Sequence, residues 1–186
     1  PASSAPLLEE ESEGWEVAVL GAVGNLDLEL IWFDQDIDNE IIFDLASYSG
    51  YLQTEGTSRS KGIELVASLP LSERWLIEGN FTSIDATQQN GADRAYRPEQ
   101  TGRASVVFSS ANWRARLTAR YTGEAVDPFM TSIDDTLTVD LTAQWQISQQ
   151  WTLEARLLNL TDHTDQQLPG YNMPGMTAYA GVRMKL

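Results

Sequence analysis

The feature that most constrains this chain is a strict alternation of apolar and polar residues that recurs along its length. Between positions 113 and 122, Trp113, Ala115, Leu117, Ala119 and Tyr121 alternate with Arg114, Arg116, Thr118, Arg120 and Thr122. Between 137 and 146, Leu137, Val139, Leu141, Ala143 and Trp145 alternate with Thr138, Asp140, Thr142, Gln144 and Gln146. Successive side chains of a β-strand point to opposite faces, so a period of two specifies a strand with one apolar and one polar face. The stretches 15–23, 26–33, 62–69, 75–82, 104–108, 151–157 and 178–186 follow the same rule. The expectation is an all-β chain of about nine antiparallel strands.

The connections alternate too. Gly24-Asn25, Pro70-Leu71-Ser72, Ser109-Ser110-Ala111-Asn112 and Ser148-Gln149-Gln150 read as short turns. The stretches 34–56, 85–100, 124–135 and 162–175 read as long polar loops. Outer-membrane barrels have this asymmetry, with short turns in the periplasm and long loops outside the cell. It makes the first strand descend to the periplasm and the ninth end there.

Tryptophans stand near the strand ends. Trp75, Trp113, Trp145 and Trp151 adjoin short turns and predict a ring at the periplasmic interface. Trp15 lies at the start of the first strand, and Trp32 and Phe33 sit where the second would leave the bilayer. The polar faces carry Glu78, Arg114, Arg116, Arg120, Asp140, Glu154 and Arg156. An Arg or Lys on the lipid face costs about 2–4 kcal/mol at the bilayer midplane, so these charges are expected to line a lumen. There Glu78, Asp140 and Glu154 would pair with Arg114, Arg116 and Arg156. A soluble β-sandwich shares the alternation but would scatter its tryptophans through a core. The fold expectation is therefore an antiparallel transmembrane β-barrel.

Composition narrows the chemistry. The formal net charge of −15 argues against nucleic acid, whose phosphates demand Lys and Arg. No cysteine is present, so there is no disulfide framework or thiolate metal site. No apolar run approaches the roughly 20 residues of a membrane helix, and a barrel strand needs none.

Several motifs resemble the TonB-dependent outer-membrane receptors. Leu158-Asn159-Leu160-Thr161-Asp162, then Pro169-Gly170-Tyr171 and Pro174-Gly175-Met176, then a short last strand, is similar to that family's C-terminal signature. Pro6-Leu7-Leu8-Glu9-Glu10-Glu11-Ser12-Glu13-Gly14-Trp15-Glu16-Val17 resembles the segment that enters a strand in the later part of its barrel. Tyr51, Glu55-Gly56 and Lys61-Gly62-Ile63-Glu64 resemble another of its segments, with Thr54 where Asn is usual. Tyr96-Arg97-Pro98 is similar to the Arg-x-Pro that opens a following strand. Thr161 and Leu186 depart from the pattern, which has an aromatic and a final Phe there.

The resemblance implies a barrel of 22 strands around an N-terminal plug. Bacterial single-chain barrels close with an even number of strands, so about nine do not close alone. Residues 1–186 are expected to form the C-terminal part of such a barrel, with the plug and TonB box upstream. The implied location is the bacterial outer membrane. The implied function is uptake of a scarce nutrient, such as a ferric siderophore, haem or cobalamin, driven by the inner-membrane TonB complex. Outer-membrane lipid and lipopolysaccharide would surround the barrel. A passive porin-like or structural barrel is the alternative.

No enzyme chemistry stands out. His163, the sole histidine, lies among Asp162 and Asp165 with no second His or Cys to share a metal. No Ser/His/Asp arrangement, Walker loop or dinucleotide fingerprint occurs, and no cofactor is expected. Asp34, Asp36, Asp38 and Glu40 alternate as in a calcium loop, but the sixth and twelfth positions are Asn39 and Leu45, not Gly and Glu. The candidate ligand-binding residues are the loop aromatics Tyr48, Tyr51, Tyr96, Phe129 and Tyr171.

Overall fold

The computed structural model describes residues 7–44, 48, 50–164 and 170–185. Pro6, Leu45, Asp165, Pro169 and Leu186, named above, lie outside them. The strands are β1 (Glu11–Val23), β2 (Leu26–Asp38), β3 (Ile41–Phe43), β4 (Tyr51–Gln53), β5 (Thr57–Pro70), β6 (Trp75–Thr87), β7 (Gln100–Ser109), β8 (Trp113–Thr122), β9 (Ala125–Val126), β10 (Ser132–Ile133), β11 (Thr136–Gln146), β12 (Trp151–Leu158) and β13 (Thr177–Met184). Nine of them form one antiparallel sheet in the order β1-β2-β5-β6-β7-β8-β11-β12-β13. This is a meander, in which each long strand lies beside the next. The β3–β4 and β9–β10 pairs are small hairpins inserted in two of the long connections.

Register lines up the alternation across the sheet. Leu69, Ile77, Val106, Leu117, Leu141, Leu157 and Ala178 oppose one another in turn over seven strands. The residue before each faces the other way and is mostly polar: Ser68, Ser105, Arg116, Asp140, Arg156 and Thr177, with Leu76 the exception. The apolar face has no protein cover: Val19 is 57% exposed and Leu117 44%. Among the described residues only Val107 and Ile133 are buried hydrophobics. A water-soluble chain this long would hide its apolar face, so the solvent for this face is lipid. Among the described residues the other sheets are the two small hairpins, too short to cover the nine-stranded sheet, which removes the β-sandwich.

At the short-turn end the tryptophans stand as expected. Trp113 and Trp145 are cross-strand partners whose rings stack 5.1 Å apart, and Trp75 packs 4.9 Å from Phe108. Trp151 opposes Met184.

Three expectations need correction. The strands run further at the long-loop end than polarity suggested. β1 begins at Glu11 rather than Trp15, and β2 continues through Asp34 and Asp36 to Asp38. β6 reaches Thr87, and β3 and β4 occupy part of the 34–56 stretch. Beyond the apolar band both faces of a strand meet water, so loss of alternation stopped marking the strand end. Ion pairs take over instead: Asp34 and Asp36 pair with Arg59, and Lys61 pairs with Asp85 at 3.1 Å.

Phe33, in turn, does not share the outer face with Trp32. Neighbours in a strand point opposite ways, and the Phe33 ring lies over Gly62, where an added Cβ would come 2.8 Å from its Cζ. Finally, Glu78 pairs with Arg116 as expected, but Asp140 pairs with Arg120 and Glu154 with Arg183.

Candidate functional site

The long-loop end gathers the candidate residues. In the β3–β4 hairpin the Phe43 ring holds two of them. Tyr48 packs against it edge-on at 6.0 Å and Tyr51 at 5.7 Å. Both tyrosines stay exposed, at 68% and 60%. Tyr48 sits at φ 53°, a left-handed conformation that costs a bulky residue energy, and its N–H donates to the Asp44 carbonyl at 2.9 Å. Sequence reasoning missed Phe43, whose signal was its place within the short apolar run Ile41-Ile42-Phe43.

Below this hairpin lies a polar joint. Glu40 accepts from Ser58 Oγ and pairs with Arg94, which comes from the connection after β6. Ser58 is wholly buried there. The Thr54 N–H and hydroxyl both donate to the Glu40 carbonyl, at 2.9 and 3.0 Å. Gln53 ties the residues before β1 to the same loop through paired bonds with the Leu8 backbone.

Tyr96 belongs to a second connection. It too is left-handed, at φ 56°, and its N–H donates to the Val126 carbonyl at 2.8 Å, linking its loop to β9. Phe129 tips the β9–β10 hairpin at 69% exposure, held by its N–H donating to Asp127 Oδ1 at 2.8 Å. Between these two loops is a cavity of about 350 Å³. Asp93, Glu99, Glu124 and Asp135 line it, with Arg97 and Tyr121. Four carboxylates against one guanidinium make it a place for neutral or cationic groups.

Tyr171, on the last connection, is 69% exposed. Asn159 organises that connection at φ 53°. Its Nδ2 donates to the His163 and Pro174 carbonyls, at 2.7 and 3.0 Å. Its Oδ1 accepts from Thr161 Oγ1 at 3.0 Å and from the His163 N–H at 3.1 Å. Asp162 Oδ1 accepts the Met176 N–H at 2.7 Å, and a Cβ on Gly175 would meet that oxygen at 2.6 Å. The Asn, Asp and Pro-Gly of this stretch thus close the loop between β12 and β13. Of the five predicted aromatics, the structure unites Tyr48 and Tyr51. Among the described residues Tyr96, Phe129 and Tyr171 have no ring contact with that cluster. No group of three metal-ligating side chains forms among the described residues.

The model of the family described as TonB dependent receptor-like, beta-barrel, matches residues 2–160. The chain belongs to this family. The vitamin B12 transporter BtuB of Photobacterium profundum is 24% identical over 195 residues, covering 100% of this chain and 32% of the relative. Among solved structures, the ferripyoverdine receptor of the outer membrane of Pseudomonas aeruginosa superposes with TM-score 0.75 at 19% identity. It covers 94% of this chain and 27% of its own. The copper transporter OprC gives TM-score 0.80 at 15% identity, covering 96% of this chain and 32% of its own. The chain therefore spans between 27% and 32% of the length of these three proteins.

As part of a TonB-dependent receptor barrel, the nine-stranded sheet is one sector of the wall. Such barrels reside in the bacterial outer membrane, and the family consists of receptors and transporters rather than enzymes. The long-loop end is then the extracellular one and the Trp75–Trp151 ring the periplasmic one.

Proposed function

We propose that this chain is the wall and part of the extracellular gate of an outer-membrane receptor that imports a scarce nutrient by TonB-driven transport. The observation that carries the reading is the exposed Phe43–Tyr48–Tyr51 cluster, raised on a paired hairpin above a membrane-spanning sector of a receptor barrel. Exposed aromatics on a fixed support offer contact area at low entropic cost. Phe129 and Tyr96, at the neighbouring loops, and Tyr171 extend that surface. Ferric siderophores, haem and cobalamin are the cargo classes. The acidic cavity beside Tyr121 repels exposed anionic groups, which favours a cargo whose charge is already neutralised by its metal.

The plug that would fill the lumen and the TonB box that would engage the inner-membrane TonB complex belong to sequence upstream of this chain. Lipid and lipopolysaccharide would contact the outer face.

The test uses the full-length receptor in cells. Uptake of the bound nutrient should stop when TonB is removed. Tyr51→Ala with Phe129→Ala should weaken binding about tenfold or more, as loss of aromatic anchors does. Uptake that continues without TonB would establish a passive channel instead, and unchanged affinity would remove the two aromatics from the site.

A further inference from the structure

Three of the long connections that carry candidate aromatics are tied together through a short segment of the middle one. Glu40 stands between β2 and β3, at the root of the hairpin that bears Phe43, Tyr48 and Tyr51. Its backbone carbonyl accepts both bonds from Thr54, on the return limb, and the Asn39 carbonyl beside it accepts from Gln53 Nε2 at 2.7 Å. The direction in which this hairpin leaves the sheet is therefore set at positions 39, 40, 53 and 54. The Glu40 carboxylate pairs with Arg94, which lies 54 residues on, in the connection between β6 and β7. Arg94 is itself fixed, since its N–H donates to the Ala86 carbonyl of β6 at 3.0 Å. Two residues further, the Tyr96 N–H donates to the Val126 carbonyl of β9, at the root of the hairpin tipped by Phe129.

Most exposed ion pairs contribute little. This one is largely covered. The Glu40 and Arg94 side chains are 13% and 19% exposed, and Ser58, which donates to the same carboxylate, is wholly buried. Removing one partner leaves the other charge mostly out of water, a costly state. Tyr96 adds strain, because a bulky residue at φ 56° keeps that conformation only where its surroundings hold it. Arg94 holds it on one side and Val126 on the other. The middle connection also packs on the stem of the first: Gly56 is left-handed at φ 106°, and a Cβ there would stand 3.2 Å from Gln89 Cβ. We propose that residues 94–96 are a strap that sets the aromatic β3–β4 hairpin and the β9–β10 hairpin in one fixed relation, with Glu40 and Arg94 as the positioning pair. The use of this relation rests on the receptor reading above. A cargo that touches Tyr51 then meets Phe129 already in place, which lowers the ordering cost of binding. By reciprocity, contact with either hairpin favours the pose of the other.

The distance between the two hairpins tests the strap without any cargo. Ile42, a neighbour of Phe43 and so on the opposite face of β3, is exposed, as is Ser132 on β10. In a full-length receptor otherwise free of cysteine, both are replaced by cysteine and carry nitroxides, and pulsed electron double resonance measures the distance between them in lipid vesicles. Insertion of each variant is checked by its heat-modifiable gel mobility. The parent receptor should give one narrow distribution. Arg94→Ala should broaden it, and Arg94→Lys, which keeps the charge, should restore it. Lys61→Ala breaks an ion pair between β5 and β6 that joins no two connections, and should leave the distribution narrow. A broad distribution in the parent, a narrow one in Arg94→Ala, no recovery in Arg94→Lys, or equal broadening in Lys61→Ala overturns the proposal. None of these results touches the TonB dependence of uptake, so the receptor reading stands or falls separately.

Discussion

Adjacent residues on β5 should respond oppositely to the same substitution. Ala67 faces outward, with Leu28 and Gly79 as cross-strand partners, while Ser68 faces inward between Asp27 and Glu78. Ala67 lies four positions from Ile63, the last apolar outward residue before Lys61, and four from Leu71 in the short turn. At about 3.3 Å per residue it is roughly 13 Å along the strand from each boundary, near the bilayer midplane. An arginine there costs about 2–4 kcal/mol. That is a fall of about 30- to 900-fold in the folded-to-unfolded ratio. Ser68→Arg instead puts the guanidinium between Asp27 and Glu78 on the polar face, a change worth about 0–1 kcal/mol in the stabilising direction per pair. The assay is reversible guanidinium unfolding of the full-length receptor in phospholipid vesicles, followed by tryptophan fluorescence. Equal losses for the two variants, or a larger loss for Ser68→Arg, would refute the assignment of faces.

Other substitutions probe single joints. Gly62→Ala drives a Cβ into the Ser83 carbonyl and to 2.8 Å from the Phe33 ring, so it should cost about 1–3 kcal/mol in the same unfolding assay. Asn159→Ala removes a buried amide that bonds the His163 and Pro174 backbone and should cost about 1–3 kcal/mol, with faster proteolysis of the last connection by an extracellular protease. Arg94→Ala breaks the pair with Glu40 and should raise amide exchange at Thr54, in another loop, as well as locally; exchange raised only around position 94 would show that the loops are not joined through this pair.

Much of the wall was legible in the sequence because lipid imposes a simple rule on it. Leu117 and Leu141 alternate with charged or hydroxyl residues, Leu157 follows Arg156, and the structure sets the three side by side. The tryptophans next to short turns likewise fell into one ring. The rule fails where lipid ends. Asp34 and Asp36 read as loop residues, although pairing with Arg59 keeps them in a strand. Partner choice was hidden too, since it depends on register. Asp140 meets Arg120 diagonally, because Thr138 opposes Arg120 and Asp140 opposes Thr118, two residues along each strand. For the candidate site, aromatic residues in polar stretches were visible, but their grouping was not. Phe43 joins Tyr48 to Tyr51 only once a hairpin forms inside what reads as loop, and left-handed backbone at Tyr48 and Tyr96 leaves no compositional trace.

The central claim is that this sheet is a lipid-facing sector of an outer-membrane receptor wall, and β8 tests it most directly. Each residue from Trp113 to Thr122 would be replaced in turn by cysteine in the full-length receptor and carry a nitroxide. Its collision rates with oxygen and with a water-soluble nickel chelate would then be measured in lipid vesicles. The account predicts a period of two, with positions 115, 117 and 119 open to oxygen and shielded from nickel, and positions 114, 116 and 120 the reverse. A profile without that period, or with the phase inverted, would contradict it.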